Sequence, residues 1–200
     1  MEDKSLTDVV LQGRLVKMRL LKPKDAEITF AWRNSQRAQY LNRGATDVES
    51  QRRWIINSEN NGALKFVIEY KKTPVGMLSL CDINPRNHSF IMGRELLGEP
   101  EIIGNAPVVF ESEILILDYA FEKLGMHSSY GDVMGTNTGM LKMRRFLRWN
   151  RSGIFKEHFF VNGEYVDAVL FSLLKDDYYS TTRKIMQSMV DMYLKNSEGV

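Results

Sequence analysis

From residue 14 to 21 the chain reads RLVKMRLL, with Val16, Met18 and Leu20 on one side and Lys17 and Arg19 on the other. Strict alternation is the period of a half-buried strand, so a first strand is expected here. Pro23 opens a segment in which Ile28, Ala31 and Trp32 fall at helical spacing, until Asn34 and Ser35 supply a stop. A second short helix is expected over 47–58, with Asp47 as N-cap and Val48, Gln51, Trp54 and Ile55 along it. Two β-rich runs follow, Leu64 to Tyr70 and Val75 to Ile83, parted by Lys71-Lys72-Thr73-Pro74. A third runs from Ser89 to Leu97 after the loop Asn84-Pro85-Arg86-Asn87. These three read as an antiparallel meander.

Helical spacing returns over 107–124, where Ile114, Leu117, Phe121 and Leu124 form a stripe that Gly125 closes. A strand (Ser128 to Met134) and a helix (Asn137 to Leu147) come next. Phe155 to Val161 and Tyr165 to Leu173 then flank Asn162-Gly163, a strong signal for a two-residue hairpin turn. The last residues, Thr181 to Val200, read as an amphipathic helix with Ile185, Met189, Met192 and Tyr193 on one side, suited to packing on its own domain. The sum is an α+β domain: a mixed, largely antiparallel central sheet flanked by helices, over residues 1–180, with an appended C-terminal helical tail at 181–200.

Composition narrows the class. The chain has 200 residues, 44% apolar and 26% charged, with no charge-free stretch long enough to cross a bilayer, which predicts one soluble domain without a membrane partner. An N-terminus of mixed charge, followed by no signal-like apolar run, points to the cytoplasm. Cys81 is the single cysteine, so no internal disulfide forms, and it reads as a small buried residue. His88, His127 and His158 lack metal-binding spacing, so no metal is expected; His127, after a helix-ending glycine, is expected to cap backbone. A net charge of +2 is too small to suggest nucleic acid. Arg52-Arg53 reads as a solvated helix face, whereas Arg144-Arg145 with Arg148 could meet an anionic small ligand.

Particular stretches go further. Leu20-Leu21-Lys22-Pro23-Lys24-Asp25-Ala26 runs into Ala31-Trp32-Arg33-Asn34. Phe66-Val67-Ile68-Glu69-Tyr70, Pro74-Val75-Gly76, Leu117-Asp118-Tyr119-Ala120-Phe121 and Leu124-Gly125-Met126-His127 follow. Lys156-Glu157-His158-Phe159-Phe160 and Asn162-Gly163-Glu164-Tyr165-Val166-Asp167 come last. In this order, over residues 14–178, the chain resembles the GNAT superfamily, in the branch of ribosomal-protein alanine (RimJ/RimL-type) and amino-sugar-nucleotide N-acetyltransferases.

The resemblance implies transfer of an acetyl group from acetyl-CoA to a primary amine of a small-molecule acceptor, with an amino-sugar nucleotide as the leading acceptor. An N-terminal protein acetyltransferase and a noncatalytic acyl-CoA-binding module are the alternatives. It implies a donor cleft between two splayed parallel strands, here 89–97 and 128–134. Donor contacts then fall on Arg94 and Leu96, on the loop Gly104, Asn105, Ala106 and Val108, and on Asn137 and Arg144.

Two departures stand out. The phosphate loop can be anchored on Glu111, which puts Pro107 and Val109 where the family has glycines. It can also be anchored on Glu101, which keeps Gly104 and Ala106 in place and Pro107 at the first helical position. The second register is preferred, although Glu101 stands where a basic residue is usual. Arg144 occupies the position from which a family tyrosine protonates the departing thiolate; an arginine can stabilise that thiolate by charge but is a poor proton donor.

On the acceptor side, a two-residue turn at Asn162-Gly163 pairs Phe160 with Tyr165, Phe159 with Val166 and His158 with Asp167. A cross-strand His158–Asp167 pair would make a general base, with Glu95 as its rival. Trp32 is expected in the core. Arg33 and Asn34 are expected to touch the acceptor, and the basic residues at 33, 37 and 43 to hold a nucleotide diphosphate. A homodimer could form through the tail or through the last strand, were that strand a sheet edge.

Overall fold

The alternation over 14–21 yields a strand, β2 (Val16–Leu20), in which Val16 and Met18 are fully buried. The computed structural model describes residues 9–42, 44–58 and 62–198, so Arg43 lies outside the described residues. A short strand that the sequence pattern does not mark, β1 (Val10–Gln12), precedes β2 and pairs with it. The Pro23–Asp25 turn leads into α1 (Ala26–Arg33), and Asp47 starts α2 (Val48–Ser58) by accepting the Ser50 N–H at 2.6 Å. The meander is β3 (Leu64–Tyr70), β4 (Thr73–Asn84) and β5 (Ser89–Leu97). A one-turn helix, α3 (Pro100–Ile103), precedes α4 (Val108–Asp118). Then come β6 (Ser128–Met134), α5 (Thr138–Phe146), β7 (Asn150–Val161), β8 (Glu164–Leu174), the short α6 (Lys175–Asp177) and α7 (Arg183–Glu198).

Among the described residues the strands form one sheet in the order β1-β2-β3-β4-β5-β6-β8-β7. Every neighbouring pair is antiparallel except β5 and β6, so the sheet is mixed and largely antiparallel, as expected. The last strand is not an edge: β8 lies between β6 and β7, and β7 is the edge at that end. No described helix is long and apolar enough to cross a membrane.

Helices cover both faces. On one, Phe66, Ile68, Leu78, Leu80, Phe90 and Met92 meet Ile114, Leu117 and Phe121, together with Met186 of α7, the helix that also buries Val190. Those two α7 residues are fully buried, whereas Met192 of the expected apolar stripe faces solvent. On the other face, α1 and α2 close smaller clusters: Ala26 and Ile55 over Val67, and Trp32 over Met77 and Leu96. Trp32 is therefore core, and its indole Nε1 donates to Glu99 Oε1 at 2.8 Å.

Glu111 anchors the chain start rather than a phosphate loop. Its carboxylate, buried in α4, accepts the backbone N–H groups of Arg14, Leu15 and Val16 at 2.9, 2.6 and 2.7 Å. Gly13 makes room for it, since a Cβ there would lie 2.5 Å from the Glu111 carboxyl carbon. Glu111→Ala strands these three donors, of which the Val16 N–H is buried and the other two half-buried; a buried donor left unpaired costs about 1–3 kcal/mol, so a loss of about 2 kcal/mol or more is expected in urea unfolding. A loss below about 1 kcal/mol would show that water satisfies the turn instead.

Candidate active site

The strands β5 and β6 pair only at Ser89 with Ser128 and Phe90 with Ser129, then part. Beyond that point each keeps its other neighbour, β4 or β8, so the facing backbone groups of the two strands lack a strand partner. A bulge bends β5 further. Arg94 takes φ +56°, and the β4–β5 register slips between Met77 and Ser79, so that Arg94 and Glu95 share the place of one residue. The bulge divides the side chains between the two faces. Leu96 packs with Trp32 and Met77 under α1, while Glu95 approaches Glu113 of α4 and Arg144 of α5.

The resulting cleft holds about 840 Å³. Arg94 to Leu97, Tyr130 to Met134, Asn137 and Arg144 line it, and so does Val109 in the first turn of α4. Pro107 is the N-cap of α4 and not its first helical residue, one place from expectation; either way its missing N–H forfeits no helical bond. Gly104 ends α3 at φ +55° and ψ −126°, a conformation that favours glycine. In the first turn of α4 the Val108 N–H donates to the Ala106 carbonyl at 2.8 Å, and Gly104, Asn105, Ala106 and Val108 do not line the cleft, against expectation. The helix start reaches the cleft at Val109, one residue on, where a first-turn N–H suits an anion. Unpaired strand backbone beside a helix start is what an extended pantetheine with a pyrophosphate requires, so the chain fits an acyl-CoA.

Asn137 caps α5, its Oδ1 accepting the Met140 N–H at 3.1 Å. This cap aims Arg144, two turns on, inward. Arg144 is buried, donates from Nη1 to Glu113 Oε1 at 2.8 Å and stacks over Trp149 at 4.4 Å. Its charge is thus engaged by Glu113, a partner that the sequence reading overlooked. The signal was present: Glu113 is followed directly by the apolar run Ile114 to Leu117, and a glutamate drawn into the core beside such a run needs a counter-charge.

Glu95 has a shielded Oε1 with no hydrogen-bond partner. Burial, reinforced by Glu113 and opposed by Arg144, pushes its carboxyl up to about 8.

The predicted His158–Asp167 pair does not form. The turn fixes Val161, Phe160 and Phe159 against Glu164, Tyr165 and Val166, but the register then jumps to Phe155 against Ala168. Residues 156–158 bulge out, with Glu157 at φ +50°. Asp167 instead accepts from Lys156 Nζ at 2.8 Å and the Glu157 N–H at 3.0 Å, and these hold it below the usual carboxylate range. His158 sits against Phe155 and Phe159 with its ring still lining the cleft.

Arg33, Arg37 and Arg94 line the α1–α2 side of the cleft with Trp54, and none of them makes an ion pair among the described residues. Arg33 lies 5.7 Å over the Trp54 ring and donates to the Asn42 carbonyl at 2.7 Å; burial and then the nearby Arg94 hold its pKa down. Asn34 is used structurally, its amide donating to the Phe30 and Ala45 carbonyls, so the loop and not a ligand occupies it. His127 does not cap through its ring; the His88 ring contacts the Gly125 carbonyl instead.

A splayed parallel pair with a bulge in one strand and a helix start beside it is the shape that the resemblance implies for an acyl-CoA cleft. The family described as acetyltransferase (GNAT) domain matches residues 15–146, and the chain belongs to it. It is accordingly an acyl-CoA-dependent N-acetyltransferase. An uncharacterized N-acetyltransferase, p20, of Bacillus licheniformis is 26% identical over 170 residues, covering 80% of this chain and 93% of that protein. Among solved structures, a GCN5-related N-acetyltransferase from Brucella melitensis superposes with TM-score 0.76 at 21% identity, covering 90% of this chain and 84% of that one. A spermidine N-acetyltransferase, SpeG, of Vibrio cholerae does so with TM-score 0.72 at 20% identity, over 84% and 98%.

Proposed function

We propose that the cleft moves an acetyl group from acetyl-CoA to the primary amine of a small anionic acceptor, with an amino-sugar nucleotide as the acceptor class that suits it best. The carrying observation is a set of guanidinium groups without an ion pair among the described residues, Arg33, Arg37 and Arg94, which line the cleft together with Trp54. Two like charges close enough to perturb each other, as Arg33 and Arg94 are, are relieved when an anion sits between them. Guanidinium groups suit a phosphate by fork geometry, and Trp54, whose ring Arg33 and Lys65 approach at 5.7 and 5.1 Å, adds aromatic surface and holds further positive charge at this wall. A polyamine, the acceptor named for the Vibrio cholerae relative, would meet repulsion on this wall.

Acetyl-CoA supplies the activated acyl carbon. The open edges of β5 and β6 would pair with its pantetheine, through Arg94 and Leu96 backbone on one side. The start of α4 at Val109, which lines the cleft, would hold the pyrophosphate; the Gly104, Ala106 and Val108 N–H groups already donate to the Pro100, Ile103 and Ala106 carbonyls, so the expected loop residues are not its donors. His158 is the imidazole in the cleft placed to accept the acceptor's ammonium proton, acting without Asp167.

Arg33→Ala and Arg94→Ala are each expected to raise KM for an amino-sugar nucleotide about tenfold or more, the loss of one charge-assisted hydrogen bond, while kcat changes little. KM for an uncharged amine should stay put. Faster turnover of polyamines than of anionic amines by the unaltered protein would sink this reading.

A further inference from the structure

Glu95, Glu113 and Arg144 come from three elements, β5, α4 and α5, and meet at the cleft wall. Glu95 and Arg144 line the cleft, while Glu113 is fully buried and is not part of its lining. The guanidinium is committed to Glu113 Oε1, and it also covers Trp149. Glu95 Oε1 and Glu113 Oε2 are left shielded and without donors. If both carboxyls were ionised, two negative charges would share one positive charge in a low-dielectric pocket. One proton cancels the excess charge. Of the two carboxyls, Glu95 is the one open to the cleft.

Acyl transfer from a thioester must dispose of a thiolate. Arg144, at the position the family resemblance gives to a proton-donating tyrosine, has no proton to give at neutral pH. We propose that Glu95 is the proton donor to the departing thiolate, with Glu113 and Arg144 as the positioning residues that hold its carboxyl at the cleft.

In this step the acceptor nitrogen's lone pair forms the C–N bond. The C–S bond breaks with its electron pair on sulfur, and the proton passes from the Glu95 carboxyl oxygen to that sulfur. The nitrogen releases its own proton toward His158 and solvent, and solvent returns one to Glu95, so the products are an amide and a free thiol. A carboxyl pushed up to about 8 is well matched to a thiol, whose usual value is about 8.5, so the transfer is nearly balanced. The charged groups facing Glu95 from the packed helices are Glu113 and Arg144, and they act in opposite senses. The inference rests on the reading of the cleft as the acyl-transfer site.

The first test needs no turnover. A ¹³C NMR titration of the Glu95 carboxyl in the unliganded protein, assigned through its backbone connectivity, is expected to show a midpoint near the thiol range. Glu113→Gln should move that midpoint down. A midpoint in the ordinary carboxylate range, about 4.3, overturns the proposal whatever the acceptor is.

The second test changes the leaving group. With an amino-sugar nucleotide as acceptor, Glu95→Gln should lower kcat on acetyl-CoA by roughly 10²- to 10⁴-fold, the usual worth of a general acid. The selenoester analogue, whose selenolate is a weak base and departs unprotonated, should recover most of that loss. Equal losses with both donors would mean that Glu95 acts as a base instead. The unaltered enzyme's kcat should also fall as pH rises through the Glu95 midpoint, a limb that Glu95→Gln removes. Failure of the acceptor to react at all would count against the acceptor assignment and leave the NMR result to decide this one.

Discussion

Arg144→Met is expected to destabilise the protein by about 3–5 kcal/mol, more than Arg144→Met combined with Glu113→Met. The asymmetry follows from burial. Arg144 and Glu113 are paired at 2.8 Å with side chains only 7% and 0% exposed, so removing the guanidinium leaves a carboxylate in the core with nothing to neutralise it. Glu95 worsens the position, because its carboxyl approaches the same place. Removing both members of the pair takes away the desolvation cost along with the attraction, and an apolar pair of similar bulk is often tolerated. Urea unfolding of the two variants at neutral pH checks this. Equal losses would mean that the pair is held by packing on Trp149 and not by charge.

Gly131→Trp is expected to weaken acetyl-CoA binding more than 100-fold while leaving the fold intact. Gly131 lies in β6 where the strand has parted from β5, and it lines the cleft. A Cβ built there meets only Ile91 Cγ2, at 3.8 Å, so a side chain has space to enter. That space is the donor's, and an indole filling it would displace the pantetheine from the unpaired strand edges. Because the substitution buries no charge and breaks no ladder bond, its cost in stability should be within about 1 kcal/mol. Calorimetry with acetyl-CoA, beside circular dichroism of the same sample, separates the two effects. Unchanged affinity would place the donor elsewhere.

Local signals along the chain were enough for most of the fold. Alternation marked β2, β-rich runs between turn signals marked β3 through β5, Asp47 and Asn137 marked two helix starts, and Asn162-Gly163 set three pairs of the last hairpin. The site was less legible, for reasons that are physical. The bulges at Arg94 and Glu157 each put a non-glycine residue at positive φ, and nothing in their composition announces it. One bulge turns Glu95 toward α4 and α5; the other takes His158 away from Asp167. A period-two count carried through either point assigns side chains to the wrong neighbours. Arg144 was found from its distance to Asn137, but Glu113 lies 31 residues earlier in the chain, and only the packing of α4 on α5 joins them. Glu111 shows the converse: a residue weighed for phosphate binding is tied to backbone nearly 100 residues away.

The most direct test of the central claim, that the splayed cleft takes an acyl-CoA, is calorimetric titration of the purified protein with acetyl-CoA. Desulfo-CoA and free nucleotide serve as controls. Saturable binding with Kd in about the micromolar range, weaker for the nucleotide alone, is the predicted result. No detectable binding at about millimolar ligand would contradict it, and would mean that the fold persists here without the donor it is built to hold.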